Sequence, residues 1–405
     1  MHPVTDEEDI VDEARTLAGP ALAQALRDSR TRTLALVQDL SDAQWQVPCR
    51  PGLNPVAWEL AHVAWFGEFW ILRGPHRVDE HGLVHAAQPP RHAGPDGLLD
   101  SARLPHAERW RVDLPSRAQV LAMLQAQLEA CVAALPQQAD DEALYFHRLA
   151  LFHEDMHGEA FAWLRATLGY PVPAGAADPP RVPAAAPARL AGGPVRVGWP
   201  AGRAGFAFDN ERPGCTLLLD DFEIDGAPVS NQAFLRFVED GGYRDPALWP
   251  GPAGEWRAAS GLEHPRRWRR GADGWELRWF DAWRPLPPDG VAMHLSAWEA
   301  EAYCRWAGRR LPRAAEWEHA AAAGRIGWGG SVWEWTADAF QPYPGFRQGP
   351  YKDYSAPWFG DHRELRGGAF ATHERLHHPR YRNFFRPERT DVFAGFRTVA
   401  LTVAL

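Results

Sequence analysis

Cysteine is scarce in this chain. Cys49, Cys131, Cys215 and Cys304 are the only four among 405 residues, and no two of them form a CxxC pair. That spacing excludes a disulfide framework or a zinc knuckle and fits a reducing compartment. Basic runs are also missing. The formal net charge is −9, with no stretch of five consecutive Lys or Arg, which excludes a nucleic acid or an anionic membrane as the expected partner. No apolar run approaches the ~18 residues a membrane span needs. The opening residues, MHPVTDEEDIVDEAR, are acidic and lack the apolar core of a signal peptide. These absences together predict a soluble, cytoplasmic protein.

Tryptophan, by contrast, is abundant. Twenty of them exceed what a core alone requires, and point to aromatic-walled cavities. The length is enough for two or three domains. The first ~170 residues carry apolar positions at helical spacing over 13–40, from an Asn54-Pro55 start through about Arg73, and over 116–135 and 140–168. Asn54 followed by Pro55 reads as an N-cap with proline in the first turn. Four such segments predict a four-helix bundle over 1–170. The stretch 74–115 between the second and third helices is a long loop rich in Pro, His and Arg, and such loops are often functional. Residues 171–195 are Pro/Ala/Gly-rich and read as a linker. From 196 to 405, short apolar runs alternate with Gly, Pro and Asp clusters, which predicts a loop-rich α+β domain.

The chemistry concentrates in LALFHEDMHGEAFAWL, residues 149–164. His153 and His157 are four residues apart, so on a helix they lie about 40° from each other and can share one metal ion. Glu159 falls on the far side of that helix. A third ligand must come from another helix, as in bundle-core sites. His62 qualifies: it lies mid-helix in NPVAWELAHVAWFGEFWILR, on a stripe with Trp58, Trp65, Phe66 and Phe69. A lone histidine on an apolar face is usually core; a facing H-x-x-x-H pair reverses that expectation. Three imidazoles without thiolate suit Zn, Fe, Cu or Ni. H-E-x-x-H is literally present as His153-Glu154-Asp155-Met156-His157, so a zinc-hydrolase reading with Glu154 as base stands beside the three-histidine one.

The segments AYCRWAGRRLPRAAEWEHAAAAG (302–324), GGSVWEWTADAF (329–340), LRGGAF (365–370), AGFRTV (394–399) and VSNQAFLRFVEDGGY (229–243) resemble the formylglycine-generating-enzyme fold, a C-type-lectin-like variant. The helical half, with His62 and the H-x-x-x-H-x-E helix, resembles a DinB-like bundle. Joined in this order, the halves resemble the EgtB-type sulfoxide synthases of ergothioneine biosynthesis. The resemblance implies an α+β multidomain protein: an iron-binding bundle (1–170), a linker (171–195) and a lectin-like domain (196–405). It also implies Fe(II) held by His62, His153 and His157, and O₂-dependent bond formation between C2 of the hercynine imidazole and a chalcogen donor. Formylglycine generation itself is not implied, because no cysteine follows Cys304.

A trimethylammonium substrate needs aromatic rings. Trp333, Phe384 and Phe385 are the candidates, with Arg389 close behind. Tyr343 or Tyr351 is the expected proton donor. Two departures from the ergothioneine enzymes concern the donor. Met156 stands where those enzymes commonly carry Gln. Phe385 stands where users of γ-glutamylcysteine carry an acid. These departures, with HEDMHGE, DSARLPHAERW (100–110) and the His62 helix, resemble the selenoneine synthase branch, which joins hercynine to a selenosugar. Arg103, His106 and Arg109 on the long loop are the expected anchors of such a donor. The alternatives are an ergothioneine-pathway synthase using cysteine or γ-glutamylcysteine, and a metal-free lectin-like binding module.

Overall fold

The computed structural model describes residues 13–136, 140–176 and 178–401. The backbone separates into two compact units. One comprises Glu13–Leu164 with Ala204–Phe206, and the other comprises residues 165–203 and 207–401.

The first unit is built on four long helices: α1 (Gly19–Ala35), α2 (Val56–Leu72), α3 (Arg117–Ala133) and α4 (Asp141–Leu168). The helix expected over 13–40 is broken. A single turn, Glu13–Thr16, precedes α1, with Gly19 at φ +48 and Pro20 in the first turn of α1. Proline has no N–H to continue the upstream ladder, and the left-handed Gly19 redirects the chain. Helix α3 starts as its sequence dictates, with Ser116 and Gln119 forming a reciprocal capping box. Helix α2 does not start on an Asn54 cap. Pro55 occupies the cap position without a side-chain bond, which leaves the Asn54 side chain for another partner. Leu22, Ala25 and Leu26 of α1, Leu128 of α3, and Leu144 and Leu151 of α4 form a shared apolar core. Helices α2 and α3 approach closely at Gly67, where a Cβ would lie 2.3 Å from Gln127 Nε2.

The 74–115 segment is ordered by α2. It carries a hairpin (His76–Val78 with Val84–Ala86), a helical turn (Asp96–Leu99) and a 3₁₀ turn (His106–Trp110). The Asp79 carboxylate closes the hairpin by accepting the backbone N–H groups of His81 and Leu83. The polar atoms of α2 then lace the rest down. The fully buried Glu68 carboxylate accepts the backbone N–H groups of Arg91, His92 and Ala93 at 2.7–2.9 Å. Trp65 and Arg73 donate to Asp96, and Trp58 donates to the Leu98 carbonyl. The aromatic stripe of α2 is therefore also a row of loop anchors.

The second unit has two four-stranded sheets. One orders Arg309–Arg310, Val399–Ala400, Phe222–Ile224 and Ala188–Leu190, all antiparallel. The other orders Asn383–Phe385, Arg363–Arg366, Trp333–Ala339 and Ala394–Gly395, the last pair parallel. The segment expected as a linker over 171–195 differs. Ala188–Leu190 pairs with Phe222–Ile224, and Gly193–Val197 pairs with Cys215–Leu219, so its second half is strand. Alternating Ala188, Leu190, Val195 and Val197 bury one side into the core around Trp317, and this period of two was masked by the surrounding proline and alanine. Helix Ala314–Ala322 covers this core and contributes the fully buried Trp317.

All four cysteines are free thiols. Burial pushes the Cys131 thiol up to about 12.

Candidate metal centre

His62 on α2 and His153 and His157 on α4 converge inside the first unit. Their ligand nitrogens all lie within 4.8 Å of one another, the one such group of His, Cys, Asp and Glu among the described residues. His62 and His153 are each 3% exposed. Each ring is held against aromatic faces: His62 stacks on Trp58 at 4.9 Å between centroids, and His153 lies parallel to Phe66 at 3.5 Å.

Hydrogen bonds set the tautomers. His62 Nδ1 lies 2.7 Å from the Leu99 carbonyl, and His157 Nδ1 lies 2.7 Å from Glu59 Oε1. Both partners only accept, so each Nδ1 carries the proton and each Nε2 keeps its lone pair. His153 and His157 then face each other Nε2 to Nε2 at 3.3 Å. A carbonyl or carboxylate behind the distal nitrogen is the usual support of a metal-bound imidazole. The donor set thus fits a cation held by three neutral nitrogens.

Burial, then the neighbouring His157, pushes His62 and His153 well below the ordinary histidine range; at His62 the Arg109 charge adds to this. Neutral imidazole is the ligating form. The metal-free protein should therefore lose stability in acid. Both groups take up protons on unfolding at pH below 6.5, their ordinary value. Stability is fully present above that pH and is lost as pH falls, at about 1.4 kcal/mol per pH unit for each histidine. Urea unfolding of metal-free protein at pH 7.5 and 5.5 checks this; equal midpoints would contradict it.

Glu154, the acid of the H-E-x-x-H match, is not a base at this centre. Its carboxylate is ion-paired to Arg30 of α1 at 2.7 and 3.1 Å. The zinc-hydrolase reading thus loses the base it named. Glu59 and Asn54 were not apparent as site residues from the sequence. The available signal was Glu59 itself, an acid one turn before His62 in an apolar helix whose other acid is Glu68.

The expected loop anchors all have partners within the unit. Arg103 pairs with Asp100 and donates to the Val84 carbonyl. His106 Nε2 lies 2.6 Å from the Leu53 carbonyl, and Arg109 donates to Asn54 Oδ1 at 2.6 Å. Met156 is half-buried on α4, beside His157 in sequence.

The remaining candidates belong to the second unit. Trp333 is fully buried, 5.6 Å from the Tyr381 ring. Phe384 stacks on Phe340 at 4.1 Å and lies near Tyr354, whose hydroxyl meets that of Tyr381 at 3.2 Å. Trp333 and Phe384 thus share one aromatic cluster. Phe385 points elsewhere, with the Arg389 guanidinium 4.6 Å over its ring and Arg389 paired to Asp391. The Tyr343 hydroxyl accepts from Arg366 at 3.1 Å, and burial pushes it above the ordinary phenol range. Its ring lies under Arg382, so it serves a buried ion cluster. Tyr351 is half-buried beside Tyr354.

A three-histidine centre in a helical bundle, carried on one chain with a lectin-like α+β unit, defines a two-domain enzyme architecture. Residues 25–164 match the DinB superfamily, and residues 174–329 and 324–401 match the sulfatase-modifying factor enzyme 1-like domain. The hercynine oxygenase of Mycolicibacterium thermoresistibile is 33% identical, over 93% of this chain and 94% of its own. That of Mycobacterium tuberculosis is also 33% identical, over 93% and 97%. The formylglycine-generating enzyme of Streptomyces coelicolor is 29% identical over only 56% of this chain. The chain belongs to the EgtB-type hercynine oxygenase family.

Proposed function

We propose that this protein is an Fe(II)- and O₂-dependent oxygenase of hercynine that joins C2 of the imidazole to a chalcogen donor. The observation that carries this is the convergence of His62, His153 and His157, within 4.8 Å, in a chain of this family. His62, His153 and His157 would hold iron(II), which would supply redox chemistry towards O₂. The chain's own part is to fix the ligands. Glu59 and the Leu99 carbonyl keep protons on two Nδ1 atoms, and Trp58 and Phe66 hold the ring planes. With a thiol donor the reaction balances as hercynine C–H plus S–H plus O₂ giving a sulfoxide and water. The half-buried Phe384 and Tyr354 supply ring surface suited to a trimethylammonium group.

A thiol donor, forming a C–S bond, is the reading that the relatives support. A selenosugar donor is the second reading, and the Phe385 position supports it. There the ring faces Arg389, and the nearby Asp391 is ion-paired to that arginine. An ammonium desolvated there without a carboxylate would lose several kcal/mol; a neutral sugar would not.

The test is anaerobic loading with Fe(II) and hercynine, followed by air with cysteine, γ-glutamylcysteine or selenosugar in parallel, with products read by mass. A hercynine–thiol sulfoxide is the expected product of the first reading, and an adduct from the selenosugar alone marks the second. In the second case Phe385→Asp should shift preference towards the amino-acid thiol. Hercynine left unconsumed with every donor would sink the function.

A further inference from the structure

A guanidinium from the loop sits behind two of the three histidines. The 3₁₀ turn His106–Trp110 is pinned to the segment before α2 by three side chains: His106 to the Leu53 carbonyl, Arg109 to Asn54 and Trp110 to the Val47 carbonyl, each at 2.6 Å. Two contacts of Arg109 lead on from there. Its guanidinium carbon lies 3.8 Å over the Trp58 ring, whose other neighbour is His62, stacked at 4.9 Å and within 9° of parallel. Its Nη1 donates to Asn54 Oδ1 at 2.6 Å; Asn54 Nδ2 donates to Glu59 Oε2 at 3.2 Å; and Glu59 Oε1 accepts from His157 Nδ1 at 2.7 Å.

The direction of this chain is forced. A guanidinium only donates and a carboxylate only accepts, so the Asn54 amide has one orientation, oxygen to Arg109 and nitrogen to Glu59. The Glu59 carboxylate, 2% exposed, is thereby oriented at one oxygen and left to His157 at the other. Asn54 can do this because Pro55 occupies the cap position, so its side chain is not spent on the helix end.

We infer that Arg109 is a positioning residue for the metal centre, orienting His157 through Asn54 and Glu59 and His62 through Trp58. This rests on the three-histidine metal reading and assigns Arg109 inward, to the ligands, in place of the donor-anchor part expected from the loop sequence. Partners one step behind a metal-bound imidazole commonly contribute 10–100-fold in affinity. Arg109 acts at one further remove but on two ligands.

The experiment titrates Co(II) into full-length, metal-free protein, follows the visible absorption of the bound ion, and measures affinity by chelator competition. Circular dichroism and melting of each variant check the fold. Wild type should bind one ion per chain. Arg109→Met should bind about tenfold more weakly with an altered spectrum. Asn54→Ala, which cuts the path to Glu59 but spares the stacking on Trp58, should lose less. The double variant should match Arg109→Met, because removing Arg109 already cuts the path through Asn54 together with the one through Trp58. Arg109→Lys, which keeps the charge without the planar fork, should recover only part. Wild-type affinity and spectrum in Arg109→Met, or losses that multiply in the double variant, would overturn the inference. If Arg109→Met does not fold, Asn54→Ala carries the test, and unchanged affinity there overturns the path through Glu59. A wild-type chain that binds no ion would instead overturn the metal reading itself.

Discussion

Replacing His62 with alanine should abolish both iron binding and turnover while the four helices remain folded. The side chain is 3% exposed and lies between Trp58 and Trp65, at 4.9 and 5.6 Å. Truncation leaves a void and strips the Leu99 carbonyl of its partner, which together cost about 2–4 kcal/mol. That is within the stability of an ordinary domain, about 5–15 kcal/mol. The functional loss is larger, because two imidazoles on one helix remain and a cation held by two neutral nitrogens is poorly retained. His153→Ala and His157→Ala should behave alike. Iron content after anaerobic reconstitution, product formation and a melting curve measure the three effects separately. Full iron occupancy and activity in His62→Ala would show that the centre is elsewhere.

Arg397→Leu should damage the second unit more than substitutions at its half-buried aromatic candidates, Phe384 and Phe385. Arg397 and Glu334 are both completely buried and paired at 2.7 Å. Glu334 also accepts from the Trp317 indole, and Arg397 donates to the carbonyls of Asp225 and Gly327. Losing the arginine leaves a carboxylate without its counter-charge at the core, a cost of about 3–5 kcal/mol. Replacing both partners with leucine should recover part of that, since no charge is then stranded. Denaturant unfolding of the two variants checks this, and a single variant within 1 kcal/mol of wild type would contradict it.

This pair also shows what kind of information the sequence carried. VWEW and AGFRTV stood out as motifs, yet their chemistry is internal: Glu334 of one binds Arg397 of the other. In the bundle, the i,i+4 spacing of His153 and His157 and the isolation of His62 among aromatics were enough to bring three ligands together. What supports those ligands was not legible. Leu99 acts through its carbonyl, which any residue would present. Asn54 carried the signature of a helix cap, but its side chain is bonded instead to Glu59, five residues on, and to Arg109 of the loop. Glu154 sat in an apparent catalytic motif, and only the fold shows it committed to Arg30, 124 positions away. The break at Gly19-Pro20 was legible and should have divided the first helix. The strand at Ala188–Leu190 was hidden because prolines nearby gave the composition of a linker.

The lacing of the 74–115 segment sorts its positions by how freely they can vary in length. Residues 80–82 at the hairpin tip are exposed, and their turn is closed by Asp79. Extra residues there meet only solvent, and doubling a loop's length costs about 0.6 kcal/mol in closure entropy. Between 91 and 110 the backbone is tied to α2 at Glu68, Trp58 and His62, and the Arg109 side chain is tied to Asn54 in the segment before it. One inserted residue there would carry the Leu99 carbonyl or the Arg109 fork off its mark. Insertions and peptide tags therefore belong at the tip, and the register from 91 to 110 is tied to the residues that surround the three histidines.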